Sequence, residues 1–115
     1  MKHDMIVILD LGSRENLRLA DEIRSLGVCC EIHPHNITLA QLEAIPNVKG
    51  VILNGGPDRI VNGVEKAVER EVCNAPIPVL MVDYMDDLPW PEDQDLRMQT
   101  LATFIFGLCG AEAAK

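Results

Sequence analysis

Four short apolar runs alternate with amphipathic segments along this chain, and that alternation limits the fold more than any single residue does. The first run, Met5 to Asp10 (MIVILD), is β-branched and too short for a helix. Gly12-Ser13 after it predicts a turn and an N-cap. Leu17, Ala20, Ile23 and Leu26 then recur at helical spacing, while Arg14, Glu15, Arg18, Asp21, Glu22 and Arg24 fill the polar side. Gly27 stops this helix, and Val28 to Pro34 (VCCEIHP) is the second strand. Thr38 caps a short helix through Ala44, Lys49 to Leu53 is the third strand, and Gly63 to Cys73 reads as a helix with Val64, Ala67, Val68 and Val72 inward. Pro76 and Pro78 lead into the fourth strand, Val79 to Val82. A last helix, from about Glu92 to Leu108, carries Leu101, Phe104, Ile105 and Leu108 on one stripe and ends at Gly110.

Strands alternating with helices predict a doubly wound, flavodoxin-like α/β fold: a parallel sheet of about four strands in three layers, joined by right-handed crossovers. The 115 residues, 48% of them hydrophobic, fit one compact domain over residues 1–115. In such sheets ligands bind beyond the carboxyl ends of the strands. That rim collects Asp10 to Ser13, His33 to Asn36, Asn54 to Asp58 and Asp83 to Asp87.

Composition narrows the function classes. A net charge of -8 argues against nucleic acid as a partner, because phosphate binding needs Lys and Arg gathered on one face. A basic protein surface is the better match. The apolar runs are far shorter than a membrane span, and no basic segment leads into an apolar signal region, so a cytoplasmic protein is expected. Cys29, Cys30, Cys73 and Cys109 lack both paired metal-ligand spacing and the density of a secreted scaffold, and read as reduced, mostly buried thiols.

The rim segments carry a resemblance. VILDLGSRENLRLADEIRSLGV, EIHPHNI, VKGVILNGGP, IPVLMVDYMDD and LATFIFGLCG follow in that order. Together they resemble the class I glutamine amidotransferase domain of the GMP synthetases of purine biosynthesis. The family has an Asp-x-Gly-Ser turn, a Gly-x-x-Leu-Ser-Gly-Gly-Pro loop, a nucleophile elbow after the fourth strand and a last helix ending in Cys-Gly. The resemblance implies a domain that hydrolyses glutamine with a Cys, a His and a Glu and passes ammonia to an ATP pyrophosphatase. A thiolate suits that work because it attacks the amide and leaves as a thioester while backbone N–H groups hold the oxyanion.

Here the position of the nucleophile is Asp83, and a carboxylate would have to form an anhydride instead. The family's His-x-Glu lies between elbow and last helix, where this chain has only LPWPEDQD; its histidines are His3, His33 and His35. The expectation is a truncated domain without glutaminase activity, acting as a non-catalytic subunit or regulator of a synthetase on a separate chain. The partner would be an ATP pyrophosphatase or a second copy of itself. Gly55 and Gly56, within Asn54-Gly55-Gly56-Pro57, match the oxyanion loop and read either as its remnant or as a tight turn. Asp10, Asn54, Asp83, Asp87 and Trp90 form the expected partner-binding rim, Trp90 as an interface anchor or as cover for the shortened sheet edge.

Other chemistry fares worse on the residues. Asp10, Asp83, Asp86 and Asp87 could hold Mg²⁺, although turn-capping and solvated acids explain them as well. Cys29 and His33 would share one face of a strand while Cys30 points to the other, which breaks up a soft-metal site. A phosphoacceptor domain would need Asp at the end of the third strand, where Asn54 stands. No cofactor and no metal are expected. The alternative function is a residual enzyme, or a binder of a small molecule or divalent ion, at the Gly55-Gly56 and Asp83 rim.

Overall fold

The computed structural model of the chain describes residues 4–12, 15–55, 60–61, 64–65, 68, 70–82 and 93–111. The elements run β1 (Met5–Asp10), α1 (Asn16–Ser25), β2 (Cys29–Pro34), α2 (Leu39–Glu43), β3 (Val48–Asn54), β4 (Ile60–Val61), β5 (Val64–Glu65), α3 (Arg70–Cys73), β6 (Val79–Val82) and α4 (Gln94–Ala102). A π-helical stretch, Thr103–Leu108, continues α4.

Four strands form one parallel sheet in the order β2-β1-β3-β6. The chain steps outward from β1 to β2, then returns past β1 to β3 and on to β6. With right-handed crossovers that reversal sends α1 to one face and α2 and α3 to the other. The cores agree: Leu19, Ala20 and Ile23 of α1 pack with Leu101, Phe104 and Ile105 of the last helix, whereas Leu42 of α2 and Val72 of α3 belong to the opposite core. The result is the three-layer α/β arrangement that the alternation predicts.

Along the central strands the side chains obey a period of two. Ile6, Ile8 and Ile52 face the α1 side, and Val7, Leu9, Val51 and Leu53 face the α2 side. Each such buried side chain contributes about 1.5–3 kcal/mol, so β1 and β3, covered on both faces, anchor the rim above them. Among the described residues no helix is long and apolar enough to cross a membrane.

The structure corrects the sequence reading in several places. Instead of one helix from Gly63 to Cys73 there is an antiparallel hairpin, β4 with β5, pairing Val61 with Val64, and only then the short α3. Asn62-Gly63, a strong hairpin signal at a two-residue spacing, takes precedence over the helical pattern after it. Helix α1 starts at Asn16 with Glu15 in the cap position and no side-chain capping bond; Ser13 lies outside the described residues. Leu17 is 73% exposed and Leu19 replaces it in the core, because Leu19, Ala20 and Ile23 define the inward arc. Leu108, expected on the inner stripe, is 69% exposed. The π turn, in which Cys109 N–H donates to Phe104 O (2.9 Å), adds a residue to the turn and shifts the phase of the face. Glu22, read as a surface acid, is buried.

Candidate functional site

At the switch in strand order, between β1 and β3, the rim is tied down by its own polar groups. Asp10 Oδ1 accepts the N–H of Gly12 (2.9 Å), and Gly12 sits at φ 105°, a conformation that favours glycine. Leu11 N–H donates to Asn54 O (3.0 Å), extending the β1–β3 pairing past the strand ends. Asn54 is almost fully buried, and its Nδ2 donates to Asn16 Oδ1 (2.7 Å), bracing the end of β3 against the first residue of α1. A buried amide needs such a partner, since leaving it unsatisfied costs about 1–3 kcal/mol.

Gly55 is buried, and its N–H donates to Val82 O (2.8 Å), so this amide continues the sheet ladder between β3 and β6. An anion at the loop would therefore have to be held by amides beyond it. Gly56, Asp83, Asp87 and Trp90 lie outside the described residues, as do Asp86 and His3. The structure thus brings Asp10, Asn54 and Gly55 together at the ends of β1 and β3.

His33 and His35 stand elsewhere. His33 is the second-last residue of β2, the strand at the far edge from β6, and its Nε2 lies 2.9 Å from Glu31 Oε1. It lines an open cavity of about 520 Å³ with Pro34, Asn36, Ile37, Thr38 and Gln41. Thr38 and Gln41 already serve the cap of α2, Gln41 N–H donating to Thr38 Oγ1 (3.1 Å) and Thr38 N–H to Gln41 Oε1 (3.0 Å). Among the described residues no group of three or more His, Cys, Asp or Glu side chains is placed to hold a metal ion.

Two of the thiols are held in their protonated form. Burial pushes Cys30 up to about 12, with Glu31 and Cys29 adding to the rise and Arg24 opposing it, and burial alone pushes Cys109 up to about 11. Neither forms a thiolate at neutral pH.

A second polar assembly, missed in the sequence, joins α1 to α4. Arg97 clasps Glu22 with two hydrogen bonds, Nε to Oε2 at 2.9 Å and Nη2 to Oε1, and both side chains are buried. Gln94 Nε2 donates to the same Oε2 (2.8 Å), and Arg18 Nη2 reaches Gln94 Oε1 (3.5 Å). Burial raises the Glu22 carboxyl, but hydrogen bonds from Arg97 and Gln94 and the charges of Arg97 and Arg18 outweigh it, leaving the group below its ordinary value. The signal was present: Glu22 is three residues from Leu19, and Arg97, Leu101 and Phe104 fall on one helical stripe.

Comparison with known proteins adds a family to this geometry. No protein-family model matches the chain. A protein of Bacteroides thetaiotaomicron named as a second GMP synthase (glutamine-hydrolyzing) is 44% identical over 119 residues, covering 98% of this chain and 27% of that protein. GMP synthases (glutamine-hydrolyzing) of Bacillus cereus and Staphylococcus carnosus are 35% identical over 83 residues, covering 72% of this chain and 16% of theirs. The chain therefore spans about a quarter or less of the length of these relatives. Matching 98% of 115 residues within 119 leaves room for only about six extra residues in the Bacteroides protein along the match.

Proposed function

We infer that this chain, a glutamine amidotransferase-like domain of the GMP synthase type, serves as a non-catalytic subunit or regulator of a synthetase and does not hydrolyse glutamine itself. The observation that carries the reading is the separation of the two edge strands, β2, which carries His33, and β6. Any nucleophile following β6 would need a histidine beside it, yet His33 lies on β2, with β1 and β3 in between. Three strand spacings of ~4.8 Å put the two edges roughly 14 Å apart, well beyond hydrogen-bond reach. No histidine follows His35 in the sequence.

Two further features support the reading. The nucleophile position holds Asp83, whose acyl product would be an anhydride. Cys30 and Cys109 are held protonated by burial. In the Bacteroides relative the matching stretch is accompanied by a much longer polypeptide, so a synthetase is the natural partner. Docking through the rim would place Asp10, Asp83, Asp87 and Trp90 against it, with the buried Asn54 supporting the rim from beneath.

The test is ammonia release from glutamine, measured with and without the synthetase chain of the native cell, alongside the synthetase rate with free ammonia as nitrogen donor. Release at the level of the blank and an altered ammonia-dependent rate are expected. Glutamine-dependent release above the blank overturns the reading.

A further inference from the structure

The end of the last helix presents apolar residues that are exposed among the described part of the chain. Phe106, Gly107 and Leu108 are consecutive and all exposed, Phe106 by 38% and Leu108 by 69%. Three exposed apolar residues in a row are unusual on a helix that already buries Leu101, Phe104 and Ile105 on its other side. Their presentation comes from the backbone: the π turn buries Phe104 and Ile105 together and turns the next three residues outward. Such turns are rare and concentrate at functional positions.

Two features sharpen the surface. A Cβ built on Gly107 would meet nothing within 4 Å, so the space above it is open to an approaching chain. From Met98 to Ala111 there is no Asp, Glu, Lys or Arg, although 24% of the chain is charged. Interfaces depleted of charge and centred on an aromatic suit lasting association, whereas charged rims suit encounter and steering.

We propose that Phe106, Gly107 and Leu108 form a docking patch for an uncharged, apolar surface on the synthetase. This rests on the functional reading above. The choice of occupant follows from the relatives: the Bacteroides protein devotes nearly three quarters of its length to sequence outside the match, so a domain of this kind lives beside further polypeptide. The patch sits on the helix layer of α1 and α4 near the start of β3, because Cys109, the next residue, packs on Gly50. It is therefore a surface separate from the rim.

The test compares binding of the native cell's synthetase chain to the wild type, to Phe106→Ser/Leu108→Ser and to Leu108→Asp by titration calorimetry, with circular dichroism and sedimentation as controls. Both positions are exposed, so the variants should keep the wild-type spectrum. The expected result is a dissociation constant raised at least tenfold in each variant. Tight binding unchanged in both variants overturns the patch and leaves the functional reading standing. Absence of binding by the wild type overturns the functional reading and the patch with it. A wild-type dimer that Leu108→Asp disperses makes a second copy the occupant and overturns the assignment to the synthetase.

Discussion

Cys109 seats its sulfur in the notch left by Gly50. A Cβ on Gly50 would run into Cys109 Sγ and would also come within 3.2 Å of Phe104 Cε2 and 3.3 Å of Ile6 Cδ1. Two features of the family resemblance, the glycine of VKGV and the cysteine of the last helix, are thus one packing contact. It fixes the last helix against β3.

Gly50→Ala should destabilise the chain by about 1–3 kcal/mol, the usual cost of overpacking. Replacing glycine in a strand gains up to ~1 kcal/mol of chain entropy, but a central strand and a helix end have little room to yield. Urea unfolding of Gly50→Ala, Cys109→Ala and the double variant checks this. In the Cys109→Ala background the cost should fall by about 1 kcal/mol, the sign of direct coupling. Additive costs would mean that the notch tolerates a methyl group.

The Glu22–Arg97 pair should make stability depend on acid. The folded carboxyl titrates below its ordinary 4.5, so its contribution is complete above that pH and is lost as the pH falls through the folded value. Glu22→Gln should flatten this part of the stability profile below pH 4.5. Arg97→Met alone should cost about 3–5 kcal/mol by stranding a buried carboxylate, while Glu22→Leu/Arg97→Met should recover most of it. Thermal melts from pH 3 to 7 read all three.

These elements show what the sequence made legible. Strand runs such as MIVILD sit between two cores, and burial on both faces leaves no competing pattern, so sheet and layer order were readable. Helix faces were harder. Glu22 and Arg97 occupy core-facing positions that composition assigns to the surface, and only pairing across two distant segments explains them. Leu108 left its stripe because a π turn changes the phase, which a 3.6-residue template cannot anticipate. At the rim, Asp10 and Asn54 read from the sequence as binding residues, and what the structure shows is each holding a loop or helix in place.

The outer edges of the sheet differ in how they are guarded. On β2, Arg24 Nη2 donates to Cys30 O (3.0 Å), Ile37 N–H donates to Pro34 O (3.2 Å), and Pro34 has no N–H to offer. On β6, Pro78 O and Val82 O accept from β3, so in the parallel ladder the amides of Val79 and Met81 point away from it. Those two amides should still exchange slowly, because an unguarded edge recruits other strands. Hydrogen exchange at two protein concentrations separates the causes: concentration-independent protection assigns the cover to the chain itself, and concentration-dependent protection assigns it to self-association. Rapid exchange at both would contradict the expectation.

Asp83→Cys should not restore glutaminase activity. Restoring the thiol supplies a nucleophile but not its base, since His33 belongs to the opposite edge strand and is paired with Glu31. An unassisted thiol near its ordinary pKa of about 8.5 is a few per cent ionised at neutral pH. Single-turnover trapping with an electrophilic glutamine analogue should therefore label the variant slowly, with a rate rising tenfold per pH unit up to that pKa. Rapid labelling that is flat through neutral pH would reveal an activating base and would reopen the question of catalysis.

Salt should separate the two surfaces proposed for the synthetase contact. With a net charge of -8, encounter through the rim is steered by a basic partner and should slow as ionic strength rises. Asp83→Asn and Asp87→Asn should reduce that salt dependence, and Trp90→Ala should mainly speed dissociation. Phe106→Ser/Leu108→Ser, on an uncharged strip, should also speed dissociation but leave the salt dependence of association untouched. Stopped-flow association and dissociation rates at low and moderate salt measure both effects. If the rim variants leave the salt dependence unchanged, the rim is not the encounter surface, and small-molecule binding becomes the better account of its acids.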